Sequence, residues 1–264
     1  MDTLLLEIGS EEIPAGYITP ALEALASQLH QKLTEARIEH GAVKTYGTPR
    51  RLTVTVEQVA AKQKPMKTEL IGPPVAIGFD QNGRPTMAAR KFAEKAGVPV
   101  ERLRTADTAK GAYLVAVKTE RALATRTLLK EILPAVILAT PFPKKMRWAD
   151  FDLEFARPIQ SSVALLGKNV IQFQLGNLKS GRITRGHYFM SPGRIKIQQS
   201  EEYIDDLRAA NVLVYINERK KVLQREIAGV AKKLGGRILP DAELEDINTN
   251  LVEYPVAVAG KFDE

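Results

Sequence analysis

Residues 3–14 read Thr3-Leu4-Leu5-Leu6-Glu7-Ile8-Gly9-Ser10-Glu11-Glu12-Ile13-Pro14, and their reading sets the fold class. The run over 3–8 is short, apolar and closed by a glycine, which predicts a buried strand. Ser10 then offers a helix N-cap, with Glu11 and Glu12 in or near the first turn, where acids favour the positive end of the helix dipole. Pro14 is compatible with a helix only this close to its start. From Ile18 onward, Leu22, Leu25, Leu29 and Leu33 recur at the helical period and form one apolar stripe. A strand feeding an amphipathic helix therefore opens the chain.

Working outward, Tyr46-Gly47-Thr48-Pro49 is turn chemistry leading into a strand over 51–56. There Leu52, Val54 and Val56 alternate with Thr53 and Thr55, which predicts one face on the core and one toward solvent. Residues 62–74 carry Lys and Pro without a period and read as an exposed connection. Asp80-Gln81-Asn82-Gly83 predicts a tight turn. Thr86 is placed to cap a short helix whose Ala89, Phe92, Ala93 and Ala96 face inward until Gly97 stops it. A strand follows over 113–117, then a helix over 125–140 that Pro134 should break or kink. Strands over 163–166 and 170–175 flank Gly167-Lys168-Asn169, the signature of a hairpin and so of antiparallel pairing.

The last third predicts helices over 201–209 and 217–234, the longer one carrying Leu223, Ile227, Val230 and Leu234 as its stripe. Lys232 and Lys233 lie in its final turn, and Gly235-Gly236 ends it. The whole reads as an α+β fold, with mixed or mainly antiparallel sheets and packed helices in two or three subdomains, divided as 1–65, 66–145 and 146–264. An apolar run over 256–259, followed at once by the final residues 261–264, reads as the truncated end of an N-terminal portion.

With 264 residues the chain can bury its own core without an external staple. The absence of cysteine excludes disulfides, thiolate metal sites and thiol nucleophiles, and fits a reducing, cytoplasmic setting. The N-terminus has no basic n-region of a signal peptide, and no apolar run approaches the ~20 residues needed to cross a bilayer, so no membrane partner is expected. Charge is unevenly placed. Between Glu154 and Glu201 there is no acidic residue, while Arg157, Lys168, Lys179, Arg182, Arg185, Arg194 and Lys196 supply seven positive charges. The remainder balances at 31 basic and 31 acidic residues, so the net charge of +7 resides in this one segment. Such a stripe suits phosphate-bearing partners, and a solvated basic face is the alternative reading.

Signals for hydrolytic or metal chemistry are weak. His30 and His40 stand at no ligand spacing, His187 stands alone, and no G-x-S-x-G elbow is present. The stretch Gly176-Asn177-Leu178-Lys179-Ser180-Gly181 has the glycine spacing of a phosphate loop, but Arg182 and Ile183 occupy the positions that require Lys and Ser or Thr. Glu7, Glu11 and Glu12 could surround a magnesium ion, although a helix start explains two of them more simply and Glu7 fits an edge or half-exposed strand. Three clusters remain: Thr48-Pro49-Arg50-Arg51, Pro143-Lys144-Lys145-Met146-Arg147-Trp148 and Ser180-Gly181-Arg182-Ile183-Thr184-Arg185-Gly186-His187. Arginine forks match phosphate, and Trp or His can stack on a base. Internal pairing of some arginines and a core role for Trp148 are the competing reading.

These clusters, with Leu4 to Pro14 and Phe155-Ala156-Arg157-Pro158-Ile159, occur in an order that resembles the beta-subunit family of the bacterial heterotetrameric glycyl-tRNA synthetases, as does the closing Leu251-Val252-Glu253-Tyr254-Pro255. Two positions depart from the family pattern: Gln160-Ser161 stands where Arg-Trp is common, and Tyr188 where Arg is common. The resemblance covers the N-terminal portion only, since the family's beta subunit continues into an HD-like domain and an anticodon-binding region. It implies a ligase that forms glycyl-adenylate from glycine and ATP with magnesium, then passes the glycyl group to tRNA(Gly). ATP and magnesium are expected on the separate alpha subunit, so this chain carries no catalytic residue and no cofactor of its own. Implied partners are the alpha subunit, a second beta subunit in an alpha2beta2 assembly, and tRNA(Gly). Candidate RNA contacts are Arg50, Arg51, Lys144, Lys145, Arg147, Arg182, Arg185 and His187. The competing role is architectural, a module that docks alpha or beta subunits without touching RNA; a free-standing RNA-binding module is the third.

Overall fold

The computed structural model describes residues 1–109, 111–148 and 153–260. The chain runs β1 (Asp2–Ser10), α1 (Ala15–Glu35), β2 (Val43–Thr48), β3 (Arg51–Val59), β4 (Lys67–Pro74), α2 (Val75–Gly78), α3 (Met87–Ala96), β5 (Arg104–Thr108), β6 (Gly111–Thr119) and α4 (Thr125–Ala139). Short strands follow: β7 (Met146–Arg147), β8 (Glu154–Phe155), β9 (Ile159–Leu166), β10 (Asn169–Val170), β11 (Gln174–Leu175), β12 (Leu178–Lys179), β13 (Ile183–Arg185) and β14 (Arg194–Lys196). Helices α5 (Tyr203–Ala209), α6 (Ile216–Lys233) and α7 (Ala242–Thr249) complete it. The fold is α+β, and the strand ladders among the described residues are antiparallel.

Two compact units form, Met1–Lys62 with Ala124–Glu264, and Gln63–Leu123. This corrects the three consecutive segments expected from sequence. The first and third cannot be separate because β1 pairs with both β3 and β9 in one five-stranded sheet, ordered β10-β9-β1-β3-β2. The smaller unit carries the sheet β4-β6-β5. Its β4 lies where an exposed connection was expected: Leu70 and Ile71 are paired with Ala116 and Val115 of β6, and this ladder organises a stretch that has no period of its own. The helix α3 is as read, with Ala89, Ala93 and Ala96 buried, Phe92 half-buried and Gly97 at φ 69° as its left-handed stop.

In the larger unit the stripe Ile18, Leu22, Leu25, Leu29 and Leu33 of α1 packs on one face of the sheet together with Leu129, Leu133, Val136 and Ile137 of α4. That packing sits on both sides of Pro134, and α4 runs on through it instead of breaking. Gly47 allows α1 close to β2, since a Cβ there would stand 2.9 Å from Ile18 Cγ2. The opposite face is also covered. Leu5, Tyr46, Val163 and Leu165 meet Ile197, Tyr203, Leu207, Val212 and Val214 from the chain around α5. Burial on both faces corrects the half-exposed strand expected over 51–56, where Thr53 and Thr55 are buried as well. It also corrects the reading of Glu7 as an edge position, for β1 is the central strand.

Three smaller corrections follow from the same packing. Strand β1 extends through Ser10, so α1 starts at Ala15 with no acid in its first turn and no side-chain cap. The hairpin at Gly167 forms between β9 and β10, but the stretch 170–175 divides, Gln174 and Leu175 pairing with β12. On α6 the expected stripe is incompletely covered: Leu223, Ile227 and Val230 are half-buried, Leu234 is exposed, and Arg219 is the helix's buried residue among those described. The abrupt end expected at residues 261–264 lies outside the described residues.

Candidate functional site

Glu7 lies mid-strand in β1 and is 1% exposed, so its carboxylate has no water to solvate it and needs partners from the fold. Thr184 Oγ1 donates to its Oε1 at 2.7 Å, and the Tyr203 hydroxyl donates to its Oε2 at 2.6 Å. Arg51, at the start of β3, brings Nη1 to 4.0 Å from Glu7 Oε2. The same guanidinium donates through Nε to Glu253 Oε1 at 3.0 Å and through Nη1 to the Arg185 carbonyl at 3.0 Å. Glu253 Oε1 also accepts from Thr48 Oγ1 at 2.7 Å. Five stretches distant in sequence, around residues 7, 48–51, 184–185, 203 and 253, thus close one buried network.

Electrostatics follow from this enclosure. Burial opposes the charge of Arg51, but the Glu253 and Glu7 carboxylates outweigh it and hold the guanidinium above its ordinary pKa. Burial pushes Tyr203 well above the ordinary tyrosine value, and the adjacent Glu7 carboxylate raises it further. Arg219 is enclosed nearby, donating to the carbonyls of Thr249 at 2.7 Å and Leu213 at 2.6 Å and to Asn250 Oδ1 at 3.3 Å. Burial lowers its pKa to about 10, against an opposing pull from Glu253.

Above this network opens a cleft of about 380 Å³. Its floor is Glu7, Gly9, Arg51 and Thr184; its rim includes Arg50, Gln160, Ser161, Arg185 and Tyr188. Arg50 pairs with Glu12 at 2.9 Å and lies over the Tyr188 ring, 4.7 Å from its centroid. Gln160 bonds Glu11, so Glu7, Glu11 and Glu12 each serve different partners. The Arg185 side chain is exposed and has no ion-pair or hydrogen-bond partner among the described residues. Gln160, Ser161 and Tyr188 all line this one cleft.

The eight candidate contacts divide by environment. Arg50, Arg51 and Arg185 meet at the cleft, Arg51 within its floor and the other two at its rim. Arg182 is half-buried and donates to the carbonyls of Lys168 at 2.7 Å, Gln198 at 3.0 Å and Ile197 at 3.3 Å, tying the β13 strand to neighbouring loops. His187 turns inward on its own loop, where Nδ1 accepts from the amides of Phe189 at 3.2 Å and Met190 at 3.1 Å. Lys144, Lys145 and Arg147 lie apart from the cleft lining; Arg147 pairs with Glu154 at 2.9 Å, and Trp148 packs against the main core. His30 and His40, which show no ligand spacing in sequence, are in contact, Nδ1 of one 2.9 Å from Nε2 of the other.

Sequence reasoning passed over Glu253 and Tyr203 as site residues. A signal was present for the first: Glu253 interrupts the apolar Leu251-Val252-Glu253-Tyr254-Pro255 as Glu7 interrupts Leu4-Leu5-Leu6-Glu7-Ile8, and an acid inside an apolar run must find a cation or donors when the run is buried. Tyr203 carried no comparable local mark.

Comparison with known proteins agrees in one direction. Residues 4–264 match the family described as glycyl-tRNA synthetase beta subunit. The chain is 50% identical over 264 residues to the glycine–tRNA ligase beta subunit of Desulforapulum autotrophicum, covering all of this chain and 38% of that protein. It is 52% identical over 263 residues to that of Desulfatibacillum aliphaticivorans, again 38% of its length. Identity to the Myxococcus xanthus protein is 44% over 261 residues, 37% of its length.

Proposed function

The chain belongs to the glycyl-tRNA synthetase beta subunit family, and from that membership and the cleft we propose that it helps bind and position tRNA(Gly) for ATP-dependent glycylation carried out on a separate alpha subunit. In this reading ATP and magnesium belong to the alpha subunit, the assembly is alpha2beta2 in the cytoplasm, and this chain, spanning 38% of the length of its first relatives, supplies contacts and no reacting group. A subunit of this kind contributes through placement, because the rate of group transfer falls steeply when the accepting end is misoriented.

The observation that carries the reading is Arg185. It stands exposed at the cleft rim, without a partner among the described residues, inside the one long segment without acids, beside Arg50 and Tyr188. Phosphate contact by such a side chain displaces counterions and leaves a signature in salt dependence. Binding of glycine tRNA to the purified chain across a salt series tests it. The log-log slope is expected to shrink by about one on Arg185→Ala. Binding that is absent, or whose slope ignores Arg185, would sink the assignment. Arg182→Ala serves as contrast, since its bonds are internal and its loss should lower stability more than slope.

A second reading has its own observation. Leu234, Leu239, Leu244 and Leu251 are each exposed along and around α6 and α7, and exposed apolar side chains recurring over one such stretch of chain suit a docking surface. Subunit docking at that end is compatible with RNA contact at the cleft.

A further inference from the structure

The loop after β13 presents three large apolar side chains in succession: Tyr188 is 56% exposed, Phe189 81% and Met190 48%. Their exposure is not slack in the chain. His187 Nδ1 holds the amides of Phe189 and Met190, the His187 carbonyl accepts from Ser191 N at 3.0 Å, and Gly186 N donates to the Gly193 carbonyl at 3.1 Å. Asn211 Nδ2 fixes Ser191 Oγ at 2.8 Å. A loop this thoroughly tied holds its apolar tip in water at a free-energy cost. The Tyr188 and Phe189 rings lie edge to face, 4.9 Å between centroids, and Arg50 lies over the Tyr188 ring. Arg185, one cation without a partner among the described residues, shares the rim.

We propose that this rim takes an unpaired RNA nucleotide, its base stacked on the exposed Phe189 ring, which Tyr188 supports edge to face, and its phosphate on Arg185. The proposal rests on the reading that the chain binds tRNA, and it narrows what is bound from a stem to a single-stranded element. An exposed, well-held ring beside an arginine that has no partner among the described residues matches the two faces of a nucleotide, an apolar π-surface and a charged phosphate. Base-paired RNA shows its phosphates but not its base faces, so it could satisfy Arg185 and would leave the rings in water. The cleft volume falls in the range of ~300–1,000 Å³ usual for small-ligand sites and accommodates one nucleotide. An unpartnered peptide segment could use the rings, but would need acidic side chains to meet the arginines.

The test measures anisotropy of three labelled RNAs with the purified chain: glycine tRNA, a short unpaired oligonucleotide, and that oligonucleotide annealed to its complement. Variants are Tyr188→Leu, Phe189→Leu and Arg185→Gln, whose exposed positions leave the melting temperature as a folding control. The unpaired strand is expected to bind about ten-fold tighter than the duplex, and each aromatic variant to lose about ten-fold without altering the salt slope. Arg185→Gln should reduce that slope by about one. Equal binding of duplex and single strand, or aromatic variants that bind as wild type while tRNA still binds, would overturn the nucleotide site and leave the tRNA reading standing. Failure of every RNA to bind would overturn both.

Discussion

Arg50 and Arg51 are adjacent in sequence and opposite in fate. Arg51 lies in the floor of the cleft, buried among Glu7, Glu253 and the Arg185 carbonyl, whereas Arg50 lies at the rim over Tyr188 with one exposed acid for a partner. Arg50 belongs to the turn between β2 and β3 while Arg51 is the first residue of β3, so the chain delivers one guanidinium to the surface and one to the interior. The floor holds the sheet to the chain's C-terminal part; the rim is left to meet something else. Residue type therefore says little about role here, and enclosure decides it. The two regions should respond differently to the same kind of substitution.

The largest effect is expected in the floor. Arg51→Met strands two carboxylates in a dry interior, and breaking a buried pair from one side costs about 3–5 kcal/mol. Urea unfolding should show a midpoint shift of that size. The pair as a whole contributes far less than the loss of one member suggests, because its mutual attraction mainly repays desolvation. Arg51→Met/Glu253→Leu should therefore recover at least half of the loss. A single variant that loses less than about 1 kcal/mol would place Arg51 in a hydrated setting and erase the difference between floor and rim.

Tyr203 gives a smaller and pH-dependent effect. Its hydroxyl donates to Glu7 and bonds Thr53 Oγ1 at 2.8 Å, so Tyr203→Phe should cost about 1–2 kcal/mol at neutral pH. The sign with pH follows from its raised pKa. The unfolded chain releases the tyrosine proton near 10 while the folded chain still holds it, so stability falls as pH rises past that value. Phenylalanine cannot lose that proton. The stability gap between wild type and Tyr203→Phe should stay constant up to about pH 9 and narrow above 10, as followed by urea titrations at stepped pH. A gap that widened would mean the hydroxyl is not enclosed with Glu7.

The sequence carried the helices and the general class because their signals are local. The stripe from Ile18 to Leu33 and the stop at Gly97 depend on spacing within a few turns. Strand burial was less legible: Thr53 and Thr55 look solvent-facing by alternation, and only the arrival of Tyr203 and its neighbours, some 150 residues later, encloses them. The same limit hid the floor. Nothing near Arg51 announces Glu253, and Glu7 read as an edge or half-exposed strand position because nothing local shows that β1 is the central strand; Glu11 and Glu12 resembled helix-start acids because Ser10 offers a plausible cap that the extended β1 overrides. The rim was better marked, since an acid-free segment is visible without any fold. Even there the pairing of Arg182 with carbonyls, against the open Arg185 three residues on, required the structure.

The smallest effects belong to the rim. Arg50→Gln gives up one exposed ion pair and one cation–π contact, and the loss should stay below about 1 kcal/mol. Arg185 sharpens the comparison further because it belongs to both regions. Its carbonyl accepts from Arg51 at 3.0 Å and is part of the floor, while its side chain is part of the rim. Arg185→Gln keeps the carbonyl and removes only the charge, so unfolding should move by no more than about 0.5 kcal/mol. If the variant unfolds early, the side chain has a structural partner and cannot be held in reserve for phosphate. If stability is unchanged while the RNA salt slope falls, one residue shows the boundary between floor and rim, backbone on one side and guanidinium on the other.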